Sequence, residues 1–212
     1  MNILPNGIRN WYLNLIQPVI NLFIKQKLNP NWFTTLGLII SIVAAYFFAT
    51  GHHRIGGIIF LFAGTLDIID GKVARASNRV TKFGALYDST LDRYAEMFIL
   101  FGMVYYYAHL KDFYLGHFDL SLLGAVAASV ALGGSIMVSY IRARAEGLGL
   151  SCSVGLMQRP ERIVYLAFSA IVHRYALFVV LILIAVLANF TAVQRIIHVR
   201  NQTIGNNDLS KR

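Results

Sequence analysis

Between positions 67 and 92 the chain carries four of its ten acidic residues, Asp67, Asp70, Asp88 and Asp92, inside otherwise apolar sequence. Residues three or four apart share one face of a helix, so Asp67 with Asp70, and Asp88 with Asp92, each project as a pair from one helix side. Two such helices side by side make a cage of four carboxylates. An ionised carboxylate in hydrocarbon is costly, and one that occurs there is as a rule paired, metal-bound or catalytic. Hard oxygen ligands in that number suit Mg2+, Mn2+ or Ca2+ and do not suit zinc or copper. Two divalent ions in the cage would neutralise it and grip a diphosphate between them.

Gly71 and Gly84 fit the same chemistry, because a residue without a side chain lets a backbone or a phosphate approach closely. Arg75, one turn beyond Asp70, offers a forked donor to phosphate oxygens. The polar, basic segment 76–83 reads as a loop over a phosphate site.

The elements that must position these groups are set by composition. The chain has 212 residues, 57% of them hydrophobic and only 14% charged, with a mean hydropathy of +0.58. That is too apolar for an ordinary soluble domain of this size, and the bilayer is its expected solvent. Apolar stretches close to the roughly 20 residues needed to cross hydrocarbon run over 33–50, 56–73, 83–107, 120–141, 162–172 and 177–197. The expectation is one all-α domain over 1–212, a polytopic bundle of six transmembrane helices. A break at His173-Arg174-Tyr175 separates the short fifth helix from the sixth. With both ends in the cytoplasm, Lys25, Lys27, Lys72, Arg75, Arg79, Lys82, Arg142, Arg144, Arg159, Arg162, Arg195 and Arg200 face inward against Arg54, Lys111 and Arg174 outside, as the positive-inside rule requires. The net charge of +9 then reflects topology and attraction of headgroups or phosphates, and no soluble basic domain exists to carry nucleic acid.

Ahead of the bundle, residues 1–30 alternate apolar positions (Trp11, Leu15, Ile16, Val19, Ile20, Phe23, Ile24) with polar ones at helical spacing, which reads as an amphipathic helix lying in the membrane interface. The stretch lacks the continuous apolar core and cleavage site of a signal peptide. The single Cys152 has no partner for an intrachain disulfide. Residues 201–212 are polar and are expected to form a flexible tail.

The pattern Asp67-x2-Asp70-Gly71-x2-Ala74-Arg75-x8-Gly84-x3-Asp88-x3-Asp92 resembles the signature of the CDP-alcohol phosphotransferase family and matches every fixed position. The resemblance covers nearly the whole chain. It implies six transmembrane helices, a polar cavity facing the cytoplasm, two divalent cations, a homodimer, and transfer of a phosphatidyl group from a CDP-linked lipid to an alcohol with release of CMP. It makes Asp67, Asp70 and Asp88 metal ligands, and Asp92 a ligand that also acts as general base. Mg2+ is the expected ion, with Mn2+ as its substitute. Gly71, Arg75 and Thr81, with Asn31, Trp32, Phe33 and Thr34, would contact the CDP moiety.

The second half bears on the acceptor. The runs 139–146 and 159–162, with Arg195, look like the phosphatidylinositol phosphate synthase branch of prokaryotes. By that resemblance Arg142, Arg159, Arg162 and Arg195 would bind the acceptor's phosphate, the acceptor would be inositol 1-phosphate and the donor CDP-diacylglycerol. Arginines grouped at the cytoplasmic ends of three helices are what a dianionic acceptor requires. They would serve glycerol 3-phosphate as well, which makes phosphatidylglycerophosphate synthase the alternative. Glu146 and Glu161 are placed to hold some of these arginines. An ion or proton transporter would instead spread ionisable positions through the depth of several helices, and stretches such as 38–45 and 122–132 carry none.

Overall fold

The computed structural model describes residues 6–25, 29–76, 81–111 and 113–209. Seven helices account for nearly all of them: α1 (Asn6–Lys25), α2 (Pro30–Ala49), α3 (His53–Ala76), α4 (Lys82–His109), α5 (Ser121–Gly147), α6 (Arg159–Val172) and α7 (Arg174–Leu209). Helices α2 to α7 form a closed ring. Going round it, α2 packs on α3, α3 on α6, α6 on α7, α7 on α5, α5 on α4, and α4 back on α2. Among the described residues three helices, over Pro30–Ala49, Ser121–Gly147 and Arg174–Ile204, are long and apolar enough to cross a membrane by length and composition.

Local sequence sets the helix ends. Asn29 caps α2 by accepting from the Asn31 amide at 3.1 Å, with Pro30 supplying a first-turn residue that needs no donor. Thr81 caps α4 by accepting from the Gly84 amide at 2.9 Å. Gln158 and Glu161 form a reciprocal capping box at the start of α6. That box starts α6 at Arg159, three residues earlier than its apolar stretch. Helix α6 is still short: its 14 residues rise about 21 Å. His173 is the break foreseen between the last two helices, with extended backbone at φ −166° and ψ 152°.

The core is layered along the ring. Phe48, Phe60, Ile99, Leu100, Leu166, Leu181 and Ile184 are buried in its middle. At the end away from the aspartates lies an aromatic cluster of Tyr107, Phe113, Tyr175 and Phe178, with the Arg174 guanidinium 5.2 Å from the Tyr175 ring centre. A short antiparallel hairpin there, β1 (Tyr114–Leu115) with β2 (Phe118–Asp119), had no signal in the periodicity; Gly116 turns it at φ 61°. Asp119 accepts from the Ser121 amide and hydroxyl at 2.8 and 2.6 Å, which holds its carboxyl below the usual range.

Close approaches between helices need small residues. A Cβ on Gly57 would come within 2.7 Å of the Ala167 carbonyl, so α3 meets α6 backbone to backbone. Helix α1 packs on α3 outside the ring: Ile16 and Ile20 are buried against Leu66, Ile69 and Val73. The Trp11 and Leu15 side chains, assigned to the same face, lie outside the described residues. Helix α7 continues through Leu209, and the Gln202 amide donates to the Ser151 carbonyl at 2.9 Å, which ties the extension to the segment before α6.

Candidate active site

The two aspartate pairs sit on α3 and α4, both of which pack on α2, and Asp67, Asp70 and Asp92 face a cavity at one end of the ring. The cavity is lined by Thr34, Asp67, Asp70, Asp92 and Arg159 above a floor that includes Phe60, Ala95 and Ile163. One carboxylate oxygen from each of Asp67, Asp70 and Asp88 lies within 4.8 Å of the other two. Asp88 Oδ1 is buried without a hydrogen-bond partner among the described residues. An orphaned carboxylate oxygen beside two more is a donor set that a hard divalent cation satisfies. Asp92 is engaged differently. Arg159 Nη1 donates to Asp92 Oδ2 at 2.5 Å and to Asp67 Oδ2 at 3.0 Å, bridging the two helices.

The residues expected to meet a CDP group fall in two sets. Arg75, Trp32 and Thr81 are exposed at the cavity's end of the ring, and the Arg75 guanidinium lies over Gly71, 3.4 Å from where a Cβ would stand. Asn31 Oδ1 lies 3.5 Å, and Thr81 Oγ1 2.9 Å, from the Cβ that Gly84 lacks, so these residues converge on one spot where backbone is bare. Thr34 and Phe33 are buried instead. Thr34 Oγ1 donates to Asp70 Oδ2 at 2.8 Å, orienting that carboxylate, and Phe33 packs on Phe23 of α1. Of the loop 76–83, residues 77–80 lie outside the described residues.

The four arginines separate as well. Arg142 and Arg162 are each near enough to Arg195 to repel it. Arg142 is half-exposed and paired with Glu146 at 2.8 Å, as foreseen for that glutamate. Arg162 is 1% exposed: its Nε and Nη2 donate to the two oxygens of Glu96 at 2.6 and 2.9 Å, and its Nη1 to the Met157 carbonyl at 2.9 Å. Arg195 donates to the Val154 carbonyl at 2.8 Å and the Val138 carbonyl at 2.5 Å. With Thr191 Oγ1 accepting from the Met157 amide, these bonds fasten the connection between α5 and α6 over the middle of α7. Glu161, also expected to hold an arginine, instead accepts from the Gln158 backbone amide at 2.7 Å.

Two contributors escaped the sequence reading. Glu96 stands at i+4 from Asp92 and i+8 from Asp88, on the same α4 face, inside an apolar run, and that spacing was the available signal. Tyr87, whose hydroxyl lies 2.9 Å from Thr35 Oγ1, ties α4 to α2 beside the site and carries no comparable signal.

Residues 27–202 match the model of the CDP-alcohol phosphatidyltransferase family. The archaetidylinositol phosphate synthase of Methanothermobacter thermautotrophicus is 34% identical over 88% of this chain and 93% of its own length. The phosphatidylinositol phosphate synthase of Mycobacteroides abscessus is 35% identical over 77% of this chain and 71% of its own. Among solved structures, phosphatidylinositol phosphate synthase of Mycobacterium tuberculosis with CDP-DAG bound superposes with a TM-score of 0.77 at 30% identity, covering 88% of this chain and 94% of that one. The same enzyme in complex with manganese and citrate gives a TM-score of 0.76 at 31% identity, covering 86% and 87%.

Proposed function

The chain belongs to the CDP-alcohol phosphatidyltransferase family, and from that premise we propose that it transfers phosphatidyl from CDP-diacylglycerol to inositol 1-phosphate, giving phosphatidylinositol phosphate and CMP. It is a membrane enzyme of phospholipid synthesis. The observation that carries the reaction is the convergence of Asp67, Asp70 and Asp88 oxygens within 4.8 Å, with Asp92 across the same cavity. In our reading the ring spans the prokaryotic cell membrane with six crossings, α1 lies in the interface, both termini and the site face the cytoplasm, and the enzyme is a homodimer.

Asp67, Asp70, Asp88 and Asp92 would hold two divalent ions, Mg2+ or Mn2+. When bound, such ions neutralise charge on the diphosphate and on the departing CMP. Arg75 faces the donor's phosphates over the bare backbone of Gly71, and Asn31, Trp32 and Thr81 meet the rest of the CDP group beside Gly84. Phe33 and Thr34 support that wall from within. Asp92 takes the proton of the acceptor hydroxyl, a group with a pKa near 15 that is a poor nucleophile unaided. The hydroxyl oxygen bonds to the β-phosphorus, the bond from that phosphorus to the bridging oxygen breaks, and CMP leaves with the bridging oxygen. Arg142, Arg159 and Arg195 supply positive charge for the acceptor's phosphate, and Arg162 holds the α5–α6 connection in place.

The test is CMP release by the purified protein with Mg2+, with inositol 1-phosphate, glycerol 3-phosphate, inositol and serine as acceptors. Stimulation by inositol 1-phosphate alone is expected. Stimulation by glycerol 3-phosphate instead would refute the acceptor and retain the chemistry. The archaetidylinositol phosphate synthase relative favours one further arm, the ether-linked CDP-archaeol beside the diacyl donor.

A further inference from the structure

Arg159 occupies a position that the acceptor role does not explain. Its Nη1 sits between Asp67 and Asp92, within hydrogen-bond reach of both, while its Nε is buried without a hydrogen-bond partner among the described residues. Asp67 therefore belongs at once to the Asp67–Asp70–Asp88 cluster and to the guanidinium bridge. A divalent ion in the cluster would put two cations on one carboxylate, and like charges that close disfavour each other. The oxygen of Asp92 that accepts from Arg159 is also engaged, so the base is tied down in this state.

We propose that Arg159 is the internal counter-cation of the carboxylate cage, displaced when divalent ions load, so that metal binding frees both Asp92 and the guanidinium. The proposal rests on the reading of the four aspartates as the metal site. Two dications balance four carboxylates, and a guanidinium expelled from a neutral cage is complementary to a phosphate dianion. Before loading, a phosphate beside four carboxylates and one guanidinium meets net repulsion. The movement asks little of the backbone. Arg159 is the first residue of α6, its backbone is fixed by the Gln158–Glu161 box, and its side chain is 23% exposed, so rotation about side-chain bonds suffices. Arg159 thus becomes available to the acceptor's phosphate only after metal loads, so that acceptor binding follows metal loading.

The experiment is Mn2+ titration of the detergent-purified, substrate-free protein, followed by the electron paramagnetic resonance of free Mn2+. Arg159→Gln should tighten the weaker Mn2+ site at least about tenfold, as removal of a competing charge at contact distance predicts, while Arg159→Lys stays close to wild type. Unchanged or weaker Mn2+ affinity in Arg159→Gln, against a wild type that binds, would overturn this proposal alone. A wild type that binds no Mn2+ would overturn the metal reading and the proposal with it. A second measurement needs no variant: phenylglyoxal labelling of wild type, read by peptide mass, should rise several-fold at Arg159 on adding Mn2+. Equal or lower labelling would overturn the displacement.

Discussion

Breaking the pair between Glu96 and Arg162 should cost this protein much of its stability, and the structure says how much and why. Both side chains are buried, at 8% and 1% exposure, and the guanidinium meets the carboxylate through two bonds of 2.6 and 2.9 Å across 66 residues of sequence. Removing one member leaves the other as an uncompensated buried charge, a change worth about 3–5 kcal/mol. Arg162→Met also strips the Met157 carbonyl of its donor, a further loss of roughly 1–3 kcal/mol. For a domain of this length each kcal/mol moves the unfolding midpoint by about 2–4 °C, so either single variant should unfold on the order of 10 °C early. The double variant Glu96→Leu with Arg162→Met leaves no unpaired charge and should recover most of the loss, short of the Met157 share. The assay is thermal unfolding of the detergent-purified proteins, with the KM for inositol 1-phosphate measured on the same samples. An Arg162→Met protein as stable as wild type, with only its acceptor KM raised, would refute the structural role and return Arg162 to the acceptor's phosphate. A double variant no more stable than the worse single would refute the charge argument.

Thr34→Val removes the hydroxyl that orients Asp70 at 2.8 Å while keeping its shape, so metal affinity should fall about tenfold to a hundredfold with activity restored at high Mg2+; a Mn2+ titration checks it. Gly57→Ala places a methyl 2.7 Å from the Ala167 carbonyl and 3.1 Å from Ile171, forcing α3 from α6 at a cost of roughly 1–3 kcal/mol, visible in the unfolding midpoint. Asp92→Asn should fold and retain CDP-lipid while turnover falls by about two to four orders of magnitude, and wild-type turnover in that variant would remove Asp92 as the base.

The chemistry was legible in the chain because it is written at short range. Asp67 with Asp70, and Asp88 with Asp92, fall on one helix face by spacing alone, and a helix that forms at all must present them together. The helices were equally local: long apolar runs, with caps such as Asn29 and Thr81, fix where they begin to within a few residues. Even the break at His173 could be placed. Only the closed ring decides which side chains meet across it. Arg159 reaches Asp67 over 92 residues and Asp92 over 67, Arg162 reaches Glu96 over 66, and Thr34 reaches Asp70 over 36. Four arginines beside apolar stretches look alike in sequence, since the positive-inside rule would account for any of them. Burial then separates them, because a guanidinium enclosed by helices must find a carboxylate or carbonyl within reach. Arg162 found Glu96, Arg195 found two backbone carbonyls and Arg159 found Asp67 and Asp92, while Arg142 stayed half in solvent. Sequence spacing therefore determined the reactive groups, and the packing of the ring determined which charge answers which.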